Sequence, residues 1–223
     1  MKIVIFDFCD TLVNFQTANE FVRFCHKDKR VLIDINNKSR LIYKIISLSF
    51  VQMIFDKFFP NLNISKKLFL RSLKGASYSV INDLGYEFYL KNIKSALNIE
   101  ILNLLKFHQH NGDIIIVASG GYDSYLNFFI ENFNIDYLLS TRIQFEKEIL
   151  TGIFQGRDCL NFNKLGLVKK LIKKNGLCGK SKMVYTDSYS DLPLLLWVDE
   201  AVVVSKGQSQ IWPSEYSFKE III

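Results

Sequence analysis

Histidine, proline and cysteine are scarce in this chain, at three, three and four among 223 residues. The histidines (His26, His108, His110) and the cysteines (Cys9, Cys25, Cys159, Cys178) show no metal-ligand spacing, which argues against a zinc site. Few, scattered cysteines also suggest a reducing compartment, so a cytoplasmic location is expected. There is no internal repeat and no low-complexity tract. No apolar run reaches the roughly 20 residues that a bilayer-spanning helix needs. The most membrane-like stretch, "IISLSFVQMIF" at 45–55, is about half that length and reads as a buried helix of an inserted domain in preference to a membrane-surface helix. Asp7 and Asp10 interrupt the apolar N-terminus, so no signal peptide is expected. Nor are the charges segregated: the net charge is +6, but the lysines are scattered. Neither a nucleic-acid nor a membrane partner is expected.

What is present is enough for one sizeable core, or a core with a smaller insertion. Ile3 to Phe6 is a continuous apolar run and reads as a strand buried on both faces. From Phe15 to about Ile99 the texture becomes helical, with apolar residues at helical spacing such as Phe21, Phe24 and Cys25, and with Pro60 after an apolar helix-like run. The aromatics of this block, among them Tyr43, Phe55 and Phe58, read as its core. Residues 100–110 form an amphipathic helix that Asn111-Gly112 should end. "DIIIVASGG" is a second apolar strand ending in small polar residues, and "DSYLNFFIENF" a helix with Asp123 as its expected N-cap. "YLLSTRIQFEKEILTGIFQG" predicts a strand and then a hairpin turning near Lys147-Glu148. A helix follows to Asn175-Gly176, then a strand in "KMVYTDSYSDLPLLLWV" with a short helix behind it, and a further strand in "EAVVVS". This alternation predicts a doubly wound, Rossmann-like α/β core with a parallel sheet. Its expected bounds are 1–14 and 100–223, with a helical domain inserted at 15–99.

Three of these strands end in polar residues: Asp7, Ser119 and Asp187. Ligands bind beyond the carboxyl ends of strands in open parallel sheets, so the three should share one crevice. Lys164, opening a helix, and Asp191, four residues after Asp187, complete the set. Carboxylates gathered closely repel unless a cation sits among them, and an all-oxygen set suits Mg²⁺. An ammonium and the backbone N–H groups of Ser119-Gly120-Gly121 can hold phosphate oxygens. An aspartate can attack phosphorus and become an aspartyl-phosphate. Arg157 and Lys206, in loops at the same end, read as solvated charges.

In order along the chain, "DFCDTLV", "VASGG", "CLNFNK" ending at Lys164, and "TDSYSDLPLL" resemble the four motifs of the haloacid dehalogenase superfamily. The nearest likeness is to its phosphoserine-phosphatase-like branch with a helical cap. The resemblance implies an Mg²⁺-dependent phosphatase acting on a small phosphorylated metabolite. It makes Asp7 the nucleophile, Ser119, Gly120 and Lys164 the phosphate contacts, and Asp7, the backbone carbonyl of Cys9, Asp187 and Asp191 the metal site. Residues 15–99 would be the cap that closes over substrate.

Cys9 departs from the family pattern. Two residues after the nucleophile the family usually has a second Asp, which protonates the leaving group and then activates water. Here Cys9 stands there, followed by Asp10 where Gly or Ser is usual. Three readings follow: Cys9 is a small packing residue, Cys9 is a catalytic thiol, or Asp10 takes over the acid–base role. Beside hydrolysis, transfer to a non-water acceptor and a low-turnover phosphate-binding or regulatory role remain open. Substrate identity and oligomeric state are not encoded in any readable pattern.

Overall fold

The computed structural model describes residues 1–58 and 63–223; Pro60 lies outside them. Strands β1 (Ile3–Phe6), β2 (Ile114–Tyr122), β3 (Tyr137–Thr141), β6 (Lys182–Thr186), β7 (Glu200–Ser205) and β8 (Lys219–Ile222) form one sheet in the order β3-β2-β1-β6-β7-β8. Every neighbouring pair in it is parallel. β4 (Ile143–Glu146) and β5 (Ile149–Phe154) make a separate antiparallel hairpin. Its turn falls at Lys147 and Glu148, whose φ angles of 48° and 62° give the left-handed pair that a two-residue hairpin loop requires.

The period-two geometry of strands divides the core into two layers. Val4 and Phe6 of β1, with Ile115 and Val117 of β2, face α7 (Ile99–His110), α8 (Asp123–Phe133) and the helical block. Ile3, Ile5, Ile116 and Ala118 face α9 (Asn161–Lys174) and α10 (Leu192–Leu195) on the other side. β1 is central and buried on both faces, as its unbroken apolar run predicts.

Between β1 and α7 the described chain is helical. It comprises α1 (Thr17–Cys25), α2 (Lys29–Asp34), α3 (Asn37–Ile46), α4 (Ser49–Phe58), α5 (Ile64–Arg71) and α6 (Tyr78–Phe88). A π-helical turn (Tyr89–Ile93) and a 3₁₀ turn (Lys94–Ala96) lead back to the sheet. α1 buries Thr17, Phe21, Val22 and Cys25 along one face. Tyr43 stacks on His26 with ring centroids 3.7 Å apart, and Phe55 packs partly buried against the core, whereas Phe58 is exposed.

Two local expectations are corrected and one holds. Tyr122, not Asp123, caps α8; the Asp123 carboxylate instead accepts from the Ile143 N–H at 3.2 Å, tying the helix to the hairpin. α7 ends at Asn111-Gly112 as expected, with Gly112 left-handed (φ 70°) and Asn111 at φ −77°. The stretch 45–55 is not a buried helix. It breaks at Ser47-Leu48, and while Ile46 is buried, Ile45, Leu48, Phe50 and Met53 are exposed. The inner faces of α3 and α4 pack, and nothing described covers their outer faces.

The block meets the core closely at Gly85 of α6, where a Cβ would lie 2.1 Å from the Ser124 carbonyl oxygen in α8. Alanine would favour the helix by about 1 kcal/mol, but this contact is with backbone and cannot yield cheaply. Gly85→Ala is therefore expected to destabilise the protein by about 1–3 kcal/mol, read from urea unfolding. A neutral result would mean that the two helices separate freely.

His26 gives a pH-dependent term. Its ring is buried, its Nε2 is 2.8 Å from Ser72 Oγ, and burial pushes its pKa from 6.5 down to about 4. Folding therefore favours the neutral ring. This stabilisation is complete above pH 6.5 and is lost as pH falls towards 4. The melting temperature should drop across that window, and His26→Gln should flatten the drop. An unchanged acid profile in His26→Gln would show that other groups set it.

Candidate active site

β1 delivers Asp7 to the carboxyl edge of the sheet, where its backbone N–H still bonds to the Tyr185 carbonyl of β6 at 2.9 Å. Lys164, in the first turn of α9, is fully buried and reaches two carboxylates. Its Nζ lies 2.9 Å from Asp7 Oδ1 and 2.6 Å from Asp191 Oδ2. Thr186, the last residue of β6, donates to the same Asp191 oxygen at 2.8 Å. Asp187 follows it and is held by Thr11, whose hydroxyl donates to Asp187 Oδ1 and accepts from the Asp187 N–H, both at 3.0 Å. Asp7, Lys164 and Asp187 line one cavity of about 150 Å³ together with Cys9, Gln16, Lys66, Gly120, Leu160, Ser188 and Ser190.

Burial governs the charges here. It pushes the Asp7 pKa up; Lys164 pulls it back, and Asp191 pushes it up again. Burial would lower the pKa of Lys164, but Asp191 and Asp7 more than reverse this, so the ammonium stays charged. Burial and then the charge of Asp7 push Asp187 up to about 8. Asp191 Oδ1 is buried with no hydrogen-bond partner. Three carboxyl groups thus meet one lysine, and ionising all three would leave the cluster with net negative charge.

Ser119 to Gly121 form an irregularity in β2, where the register with β3 shifts between Ala118 and Tyr122. Ser119 is fully buried and its Oγ accepts from the Gly121 N–H at 2.9 Å. Gly120, not Ser119, lines the cavity, and a Cβ on it would meet Leu160 Cδ2 at 2.6 Å. The Cys9 thiol sits 3.2 Å from Thr17 Oγ1, which is 2.7 Å from the Tyr125 hydroxyl, which accepts from the Tyr122 N–H at 3.0 Å. Burial, then the charge of Asp7, push the thiol up to about 11. It stays protonated at neutral pH.

Other expected residues lie apart from this cavity. Asp10, at φ 56°, turns its carboxylate to Lys206 Nζ and Gln16 Nε2 and lines a neighbouring recess with Asp187, Lys206 and Gln210. Lys206 is thus an exposed charge, as expected, that also pairs with Asp10. Arg157 lines a larger groove of about 890 Å³ between α8, β3 and α9. That groove contains none of the carboxylates that meet at Asp7.

Lys66, on α5 of the helical block, carries no sequence signal. Its buried Nζ donates to Asp158 Oδ1 at 2.5 Å and to Thr141 Oγ1 at 3.0 Å, and burial lowers its pKa despite Asp158. The ammonium also stands 5.5 Å from the centroid of the Tyr122 ring and 5.2 Å from that of Phe154. It joins the helical block to the core at the rim of the cavity. An amphipathic helix bearing Lys66-Lys67 reads as solvated at both positions, which hid it.

The profile of the haloacid dehalogenase-like hydrolases matches residues 4–196. The phosphoserine phosphatase of Methanocaldococcus jannaschii is 25% identical over 194 residues, covering 86% of this chain and 80% of that protein. Among solved structures, a protein of unknown function from Bordetella pertussis Tohama I superposes with a TM-score of 0.73 at 16% identity, covering 98% of this chain and 97% of that one. A phosphoserine phosphatase solved as a phospho-aspartyl intermediate analogue superposes with a TM-score of 0.60 at 19% identity, covering 91% of this chain and 86% of that one.

Proposed function

The chain belongs to the haloacid dehalogenase-like hydrolase family, and we propose that it is an Mg²⁺-dependent phosphatase that hydrolyses a small phosphomonoester through an aspartyl-phosphate on Asp7. The observation that carries this reading is the buried Asp7–Lys164–Asp191 cluster, open to a cavity of about 150 Å³ at the carboxyl edge of a parallel sheet. A carboxylate so placed is aimed, partly neutralised and shielded from bulk water.

In the first half-reaction an Asp7 oxygen attacks phosphorus, the bond to the ester oxygen breaks, and the leaving oxygen takes a proton from water. In the second, water attacks the aspartyl-phosphate, gives up a proton, and releases inorganic phosphate with Asp7 restored. Lys164 remains charged throughout and pairs with phosphate oxygens while Asp191 and Thr186 hold it in place. The backbone at Gly120 supplies space that a side chain would close. Helices α1–α6, over residues 15–99, act as the cap, with Lys66 closing on Asp158.

The donor set fits magnesium. Asp7 and Asp187 share the cavity and repel one another, and Asp191 Oδ1 is an acceptor the protein leaves unsatisfied. Asp7, Asp187 and the Cys9 carbonyl would hold the ion. Asp191 would serve it indirectly, since among the described residues no three acidic, cysteine or histidine side chains gather as a cage. A hard cation that keeps several waters and shares phosphate oxygens needs no fuller cage. Bound there, it would neutralise charge on the carboxylates and on the phosphoryl group.

A low-turnover form of the same chemistry is favoured by one observation: a thiol held near 11 stands where an acid–base group is needed. Asp10 faces Lys206 and not the cavity, which speaks against its taking that role. The reading is tested by phosphate release from an aryl phosphate, with Mg²⁺ and with a chelator. Release should require the metal, because a good leaving group needs no acid. No release and no phosphoenzyme with Mg²⁺ present, across a panel of phosphomonoesters, would reject it.

A further inference from the structure

The outer faces of α3 and α4 form an apolar surface that the catalytic reading does not use. On α3, Leu41 and Ile45 lie on one face and run into Leu48, whose carbonyl accepts from the N–H groups of Val51 and Gln52 in the first turn of α4. Phe50 and Met53 continue the stripe on α4. These five side chains are between 50% and 66% exposed. Apolar residues dispersed singly over a surface are ordinary, but a run along two consecutive helices marks an interaction site.

The charges around the stripe select the partner. Between Asp34 and Asp56 the chain carries Lys38, Arg40 and Lys44 and no acid. All three are exposed, and helical spacing places Lys38 on one flank of the α3 stripe and Arg40 and Lys44 on the other. Lys57 lies one turn beyond Met53 on the same face of α4 and is also exposed. A second copy docked face to face would set these four cations against themselves with Asp56 as the one acid beside them in sequence, which disfavours self-association. An apolar stripe with cationic flanks matches an anionic bilayer surface, where the apolar side chains enter the headgroup boundary and the lysine and arginine stems reach back to phosphate. No helix among the described residues is long and apolar enough to cross a membrane, so the contact is peripheral.

We propose that the α3–α4 face docks the protein on anionic lipid bilayers. The proposal stands apart from the assignment of catalysis to Asp7. It is tested by co-sedimentation of the full chain with vesicles of phosphatidylcholine alone and of phosphatidylcholine with phosphatidylglycerol, at low and raised salt. Binding should require phosphatidylglycerol and weaken with salt. Ile45→Asp and Phe50→Asp should each weaken it about tenfold or more, and Lys44→Gln about fivefold. Phe50→Trp emission should shift to the blue on phosphatidylglycerol vesicles. Circular dichroism and thermal melts of each variant should match the wild type, because Ile45 and Phe50 are at least half exposed and Lys44 is exposed. Failure of the folded wild type to bind phosphatidylglycerol vesicles at low salt overturns the proposal. So does equal binding by Ile45→Asp and Phe50→Asp, since net charge alone would then account for it. A dimer that Phe50→Asp dissolves, with no vesicle binding, would assign the face to a second copy and overturn it equally.

Discussion

Asp7→Asn reduces phosphate release to background while the protein remains folded. Asparagine keeps the shape at the end of β1 and the backbone bond to Tyr185, but its amide is too poor a nucleophile to attack phosphorus. Lys164 keeps Asp191 as its partner at 2.6 Å, so the buried ammonium is not left unpaired, and the melting temperature should change little. Two measurements check this: steady-state phosphate release, and acid-quenched phosphoenzyme after mixing with an aryl phosphate. Wild type should trap the acyl phosphate, and Asp7→Asn should trap none. If Asp7→Asn keeps most of the wild-type turnover, another group carries the phosphoryl transfer and the proposed chemistry is wrong.

Cys9→Asp raises turnover, by roughly 10-fold at least, given that a positioned acid–base group contributes roughly 10²–10⁴-fold. Burial and the charge of Asp7, which raise the thiol, would also raise a carboxyl group there and so suit it to hold a proton for the leaving group. The thiol is within hydrogen-bonding reach of the Thr17 hydroxyl and N–H and of the Ser119 hydroxyl, at the start of α1. The amino end of a helix favours negative charge. Cys9→Ser should change little, because a hydroxyl is no better an acid–base group than a thiol pushed up to about 11. Rapid-quench kinetics should locate the gain in breakdown of the phosphoenzyme. A large loss in Cys9→Ser with the fold intact would make the thiol itself catalytic. A large loss in Asp10→Asn, with metal affinity unchanged, would transfer the acid–base role to Asp10 despite its pairing with Lys206.

The parallel core was legible because its strands announce themselves physically. Ile3–Phe6, Ile114–Val117 and Ala201–Val204 are unbroken apolar runs, as strands covered on both faces must be. The strand-end positions of Asp7, Ser119 and Asp187 follow from those runs, and the structure brings Asp7, Asp187 and Lys164 to one cavity. β8 escaped notice because "KEII" is short, partly polar and at the sheet edge. Direction was harder to read than position. Ser119 and Asp10 lie near the cavity, yet the irregularity in β2 turns the serine hydroxyl to Gly121, and the left-handed backbone at Asp10 turns its carboxylate to Lys206. Lys66, Asp158 and Thr11 were hidden because a buried polar side chain looks like a solvated one until its partners arrive from distant segments.

β1 is four residues long and splits its side chains between two layers, with Asp7 directly after it. A one-residue insertion or deletion within Ile3–Phe6 would exchange the layers and turn the nucleophile away from Lys164 in the same stroke. Chain length at this strand is therefore fixed twice over, by packing and by chemistry. Variation in length among descendants of this sequence can accumulate away from the cavity instead, as between α3 and α4, where the linking residues Ser47 and Leu48 are not buried and a lost or gained residue leaves the distance from Asp7 to Lys164 untouched.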